Sequence, residues 1–582
     1  MRKLFAVLLI AALLAVAIAP VAATPVSELN ALASYFPAET AMLISLRADD
    51  AFLAELDALL NRVTTQVPGV SPISLLDELD QTIQFSGVGS SFATGIRPWL
   101  GDVISIGIID LSAIFAAQAA GAVNVPPPSI LLVGALRDRA ALENLFDRVL
   151  APNPDVSVTR NGDYTLFTQM PPSWRSEEPP TEYYVDDAVF IVTNDSALLP
   201  IKRRLASSLA DDPRFDEALA ALTLDSYNMT IYVNNDALIE AALQTNAMLP
   251  PDFNFQSGPS QAWGFTILDE RSLLIEIVQP ITDPALWAAT GTMPEMFVPV
   301  DLNFARHIAA GTPLVIHGTD LSGIFESTLQ SLSMTLAQLA AVDPSFTMGL
   351  TPEEASTVIV DSLTFGVQGA LGLNLSEDIL SWMTGDFALT LGINPALDDV
   401  RTASDAMSLN ALPIDFSLLI EATDPERARN LVSAISNSLR QFASADLRVS
   451  QEQIAGEMST VLTIPPSFDV PFPIEIIAAA NDEVFVIGTR AYVEAALSDG
   501  PGITADPSFI EMQAYLVDQP VSVLYAAGEG LTPLVNFLAA TRAINRQDIE
   551  PVRAIFRLLS SSSISIAYPE DGIILRMVLT LP

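Results

Sequence analysis

With 582 residues, half of them apolar, the chain can bury more than one core, because a single core rarely grows beyond about 250 to 300 residues. Its formal charge of −42, from 27 basic and 69 acidic side chains, excludes nucleic acid as a partner, since a phosphate backbone would be repelled. Cysteine is absent, which excludes disulfides, a thiol nucleophile and a lipid-modified N-terminal cysteine, so stability has to come from packing.

Residues 1–23 have a basic start (Arg2, Lys3), an apolar run over 4–18 and small residues at Val21, Ala22 and Ala23. This pattern predicts a secretory signal peptide cleaved after Ala23 and a secreted or periplasmic mature protein. Losing Arg2 and Lys3 takes the charge from 27 − 69 = −42 to 25 − 69 = −44. No later stretch is long and apolar enough to span a bilayer, so no membrane span is expected after cleavage. The acidic surface is read as solvation. With no D-x-[DN]-x-[DN]-G loop in the sequence, divalent cations would bind it diffusely.

The first unit opens with a strand over 42–46 and a helix that Asp49 or Asp50 would cap. Then come a Gly-rich strand over 82–92 and the turn-strand PWLGDVISIGI, which contains Gly101-Asp102. After a polar and Ala-rich excursion, ILLVGALRDRAALENLF predicts a buried strand and a helix, and NGDYTLFTQMPPSW a hairpin. The stretch DDAVFIVTNDSALLPIKRRLASSLADDPRFDEALAAL, residues 186–222, is an apolar strand, a helix and an Asp-Pro-X-Phe helix start at Asp212. A further strand and helix and two strands about Asp269-Glu270 close the unit.

Every one of these pieces recurs. Thr312 echoes Thr40, Gly385-Asp386 echoes Gly101-Asp102, and AGEMSTVLTIPPSF repeats the hairpin without a gap. NDEVFVIGTRAYVEAALSDGPGITADPSFIEMQAYL repeats the 186–222 stretch, with Asp506 in the place of Asp212. The segment 362–373 is the predicted counterpart of the Gly-rich strand. The expected organisation is therefore a signal peptide at 1–23, a first unit at 24–290, a linker at 291–302 and a second unit at 303–582. The fold class is α+β: two homologous units in tandem, each a mostly antiparallel sheet of about eight strands covered by helices. The runs 189–192 and 484–487 are expected to be interior strands, being continuously apolar.

The opening FPAETAMLISL, the PWLGD turn-strand and the ending DDPRFDEALAAL resemble the uncharacterised secreted bacterial family called domain of unknown function 3352. The resemblance implies an extracytoplasmic protein without an assigned activity, and it carries over no catalytic residue.

Nothing in the residues identifies a reaction. The sequence has no G-x-S-x-G elbow, S-x-x-K or GxxxxGK[ST] loop. His307 and His317, the two histidines, both fall in the second unit, opposite Tyr35 and Ser45 of the first, so a duplicated metal site cannot rest on them. No catalytic, metal or cofactor residue is therefore assigned. Asp102 and Asp386 are read as turn residues, and Asp212 and Asp506 as N-caps followed by Pro, with Phe215 and Phe509 as core anchors. Trp174 and Phe468, in the repeated Pro-Pro-Ser-aromatic loops, are the expected ligand-binding residues, lying beside apolar stretches that could line a groove. The expected function is non-enzymatic: an envelope component acting by binding or as structure, its partner unknown. The alternatives are a carrier for an apolar ligand held between sheet and helices and a hydrolase using paired carboxylates.

Overall fold

The computed structural model describes residues 23–66, 74–85, 91–112, 127–172, 178–202, 207–245, 258–283, 287, 297–329, 351–394, 396–397, 400, 405, 412–441, 447–466, 472–541, 549–558 and 560–581. Trp174, Phe468 and nearly all of the expected leader lie outside them. The fold is α+β, with large antiparallel sheets and many helices. It divides into two compact units, one running to Leu286 and including Glu570–Leu575, the other Trp287–Pro569 with Arg576–Pro582.

In the first unit, besides a short antiparallel pair of Thr24–Pro25 with Ser226–Tyr227, the strands are β1 (Met42–Arg47), β2 (Leu100–Asp110), β3 (Ser129–Leu136), β4 (Val156–Asn161), β5 (Tyr164–Gln169), β6 (Thr181–Val185), β7 (Val189–Thr193), β8 (Met229–Val233), β9 (Gln261–Ile267) and β10 (Ser272–Pro280). They pair antiparallel in the order β10-β9-β8-β1-β2-β3-β7-β6-β5-β4. Directly paired residues share a face, so the register sorts the side chains into rows. One row is Leu132, Ile106, Ile44, Ile231, Trp263 and Ile277; the row on the opposite face is Val133, Ser105, Ser45, Thr230, Gly264 and Glu276. The second row is buried and nevertheless polar, which is tolerable only because its groups are paired. Ser45 and Ser105 share a hydroxyl hydrogen bond of 2.9 Å, and Glu276 accepts from the Thr223 amide at 2.8 Å, the Thr223 hydroxyl at 2.6 Å and the Tyr227 hydroxyl. Gly264 makes room for this network: a Cβ there would lie 2.2 Å from the Tyr227 ring.

The second unit comprises β11 (Leu314–Thr319), β12 (Asp386–Ile393), β13 (Ile414–Glu421), β14 (Arg448–Ile454), β15 (Glu457–Ile464), β16 (Ile474–Ala480), β17 (Val484–Gly488), β18 (Ser522–Ala526), β19 (Ser561–Ala567) and β20 (Gly572–Thr580). The pairing order is β19-β18-β11-β12-β13-β17-β16-β15-β14, and the Ser560 amide, beside β19, donates to the carbonyl of Thr580 in β20. β7 and β17, the two apolar runs, are interior strands with a partner on each side.

The helices used below are α1 (Asp50–Gln66), α2 (Leu75–Phe85), α3 (Arg139–Val149), α4 (Pro213–Ala220), α5 (Asn235–Thr245), α6 (Pro352–Leu371), α7 (Pro425–Gln441), α8 (Arg490–Leu497), α9 (Pro507–Gln513) and α10 (Thr532–Ala540). Asp212 and Asp506 cap α4 and α9, each with Pro at the first helical position, and Phe215 and Phe509 are buried behind them. Two expected strands are instead helical. Residues 82–85 end α2, and most of 362–373 belongs to α6. In α6 the capping box of Thr351 with Glu354, Pro352 at the start and left-handed Gly372 (φ +71°) at the end outweigh the glycines that suggested a strand. Strands also exceed the expected eight or so per unit: among the described residues twelve lie between Thr24 and Pro280 and ten between Leu314 and Thr580.

Candidate functional site

In the second unit the face corresponding to the apolar row carries Ile487, Leu418, Leu389, Ile316, Leu524 and Ile564. The opposite face, with Val315, Ala388, Leu419, Val523 and Tyr525, packs against Phe304, Val493 of α8 and Phe509 of α9 in one large cluster. Cover over the apolar row is divided among the described residues. On one side α7 contributes Ala428, Leu431 and Val432, which gather with Trp382 and Phe485, and Val367 and Leu371 of α6 pack against that group. On the other side Leu397 and Val400 meet Ile393 and, from α10, Phe537 and Ala540. Between the two groups Leu389, in the interior strand β12, is left 47 % exposed. A large apolar side chain so exposed on an interior strand is unusual, because such positions are normally sealed by the layer above.

On the corresponding face of the first unit Ile106 and Leu132 are buried, while Ile44, Ile231, Trp263 and Ile277 are part-buried. Ile106, which pairs with Ile44 as Leu389 pairs with Ile316, is 3 % exposed. The helix after β1 buries Phe52, Leu53, Leu56 and Leu59, and α2 adds Leu79 and Ile83. After β11, the helical residues 321–329 begin LSGIFESTL; none is buried, and Ile324 is 44 % exposed. Both helices begin on a capping aspartate, Asp49 accepting from the Phe52 amide and Asp320 from the Gly323 amide. They therefore start alike, and among the described residues Leu321 packs against the group around Trp382 and Phe485.

The polar groups of the second unit form a separate, buried cluster. His317 Nε2 lies 3.0 Å from Asp386 Oδ1, with both side chains almost wholly enclosed. Asp386 also accepts from the Asp301 amide at 3.1 and 3.2 Å, and its own amide donates to Glu421. His307 has its Nδ1 3.0 Å from the Ala496 carbonyl and its Nε2 3.7 Å from Glu483. Burial pushes its pKa below the ordinary 6.5, against the pull of that carbonyl. The ring of Phe304 lies 5.5 and 5.7 Å from the two imidazoles. Among the described residues there is no group of three or more His, Asp or Glu side chains able to hold a metal ion.

The turn reading of the repeated Gly-Asp is corrected by the ladder. Asp102 lies inside β2 and Asp386 opens β12. Moreover, they enter one residue out of step: Ala48 donates to the Asp102 carbonyl, whereas Asp320 donates to that of Gly385. A one-residue slip reverses the face a side chain points to. Asp102 is accordingly 59 % exposed, between Arg97 at 3.3 Å and Arg137, while Asp386 turns inward to His317. No sequence signal distinguished them, since the register depends on the partner strand.

Among the described residues the first unit has a concavity of about 610 Å³, walled by Ile109, Leu111, Leu198 and Ala241 and rimmed by Glu39 and Asp195 among other residues, and another of about 500 Å³ beside Trp99, Asn144 and Arg148.

The family model described as "Protein of unknown function (DUF3352)" matches residues 4–516. No curated protein matches the chain. Two solved structures of TP0453, crystal forms III and I, are similar at 9 % and 10 % identity, covering 46 % and 44 % of this chain and 85 % and 83 % of theirs, with TM-scores of 0.22 and 0.21.

Proposed function

We propose, from the premise that the chain belongs to the DUF3352 family of proteins of unknown function, that it is a non-enzymatic envelope protein that acts by binding an apolar ligand between sheet and helices. On this reading residues 1–23 direct it out of the cytoplasm and are removed, and the mature chain is a tandem duplication. Support for the duplication comes from the gapless repeat of the hairpin sequence and from the common pairing order, in which the first strand of each unit lies between the second and the eighth.

The observation that carries the binding reading is the exposure of Leu389 at 47 % between two separate apolar groups. In water such a surface is unfavourable at about 25 cal/mol per Å², and a ligand that covers it recovers that free energy. The test is a titration of the mature chain with the neutral fluorophore N-phenyl-1-naphthylamine. Saturable enhancement, reversed by dodecan-1-ol, is expected; no enhancement over buffer would overturn the proposal.

A further inference from the structure

We infer that Asn161 is a site of spontaneous modification, where the backbone nitrogen of Gly162 attacks the side-chain carboxamide and the chain is left with aspartate or isoaspartate at that position. Asn161 ends β4 and pairs with Tyr164 of β5 across the turn Gly162-Asp163. It makes the single Asn-Gly step in the sequence. Asn161, Gly162 and Asp163 are all exposed, and among the described residues neither the Asn161 carboxamide nor the Gly162 N–H is engaged in a hydrogen bond. Other asparagines are held. Asn194 accepts from the Ile130 amide and donates to the Pro128 carbonyl, Asn228 accepts from the Thr266 hydroxyl and the Ile267 amide, and Asn374 accepts from the amides of Ser376 and Glu377.

Ring closure requires the Gly162 nitrogen to give its proton to solvent and bond to Cγ of Asn161, while the Cγ–Nδ2 bond breaks and ammonia leaves. Glycine favours this step because it has no side chain to block the approach and few restraints on its backbone. Solvent water then opens the cyclic imide. Cleavage at Cγ restores the main chain and yields aspartate; cleavage at the main-chain carbonyl leaves the chain running through Cγ and yields isoaspartate. Either product adds a negative charge beside Asp163, and isoaspartate also lengthens the backbone opposite Tyr164. The far side of the turn is anchored, with Arg139 Nη1 3.4 and 3.3 Å from the carbonyls of Gly162 and Asp163 and 2.9 Å from Asp187, so the freedom lies on the Asn161 side. In the second unit the matching turn, Ala455-Gly456, follows Ile454, which confines this reaction to the first unit's hairpin.

The experiment is peptide mass mapping of the full mature chain, folded and incubated for several weeks in mildly alkaline buffer at physiological temperature. Asn161 should convert at least about tenfold faster than Asn194, Asn228 or Asn374, a barrier lower by about 1.4 kcal/mol, and its product should include isoaspartate, which only the imide route forms. Gly162→Ala is compatible with the turn, since nothing lies within 4 Å of the added Cβ. That variant should slow the conversion at least about tenfold. An unchanged mass at Asn161, aspartate without isoaspartate, or a folded Gly162→Ala chain that converts as fast as wild type would each overturn the inference. Should Gly162→Ala fail to fold, the site and the isoaspartate content of the wild-type product still decide.

Discussion

Replacing Asp386 and Asp102 by alanine removes the same residue of the same short motif, and the structure assigns the two substitutions different costs. Asp386 is 5 % exposed and accepts from His317 Nε2 at 3.0 Å and from the Asp301 amide at 3.1 Å. Asp386→Ala strands a buried imidazole nitrogen and a part-buried amide. Each orphaned group costs about 1–3 kcal/mol, and breaking a buried His–carboxylate pair falls at about 3–5 kcal/mol in total. Asp102 is 59 % exposed, where an ion pair contributes about 0–1 kcal/mol, and Arg97 keeps the carbonyls of Ala48, Leu100 and Gly101. Because compact units in one chain need not unfold in a single step, the assay is native-state hydrogen exchange followed peptide by peptide. Asp386→Ala should lower the opening free energy of β11 and β12 by about 3 kcal/mol or more, and Asp102→Ala that of β1 and β2 by no more than about 1 kcal/mol. Equal losses in the two variants would refute the assignment of opposite faces.

Gly264→Ala should destabilise the first unit by about 2–4 kcal/mol, since its Cβ would lie 2.2 Å from the fully buried Tyr227 ring and would pull that hydroxyl from Glu276; a chemical denaturation midpoint close to wild type would contradict it. His307 has a folded pKa below the unfolded value of 6.5, chiefly through burial, so its stabilising contribution is present above about pH 6.5 and is lost as pH falls from there through the folded pKa. Melting of the wild type should therefore drop more between about pH 7.5 and pH 5 than that of His307→Gln, and equal drops would remove the argument.

Short-range signals in this sequence were informative wherever a side chain acts on its own backbone. Asp212-Pro213 and Asp506-Pro507 announce helix starts because cap and ring geometry are local, and the runs that became β7 and β17 are apolar throughout because both faces are covered. Local signals misled at α6, where Gly366 and Gly369 suggested a strand while Thr351, Pro352 and Glu354 encoded a helix start that the strand reading passed over. The exposure of Leu389 was not legible at all. It looks like any other leucine in an alternating strand, and only the register that pairs it with Ile316 and Leu418 places it on an interior strand. The same limit hid the His317–Asp386 contact, whose members are 69 positions apart.

Two units with one pairing order in a single chain carry a risk during synthesis: β1 could be captured by the strands meant for β11, giving a compact but wrongly threaded product. Buried polar side chains on these strands guard against that exchange. Ser45 is matched to the hydroxyl of Ser105, and His317 to a carboxylate beside Ala388. If β1 took the place of β11, Asp386 would lose its imidazole partner, and the displaced His317 would face Ser105 with no carboxylate beside it, leaving buried groups unpaired on both sides. The difference at these few positions thus acts as a proofreading code for strand assembly, rejecting the wrong pairing by the unsatisfied polar groups it would enclose.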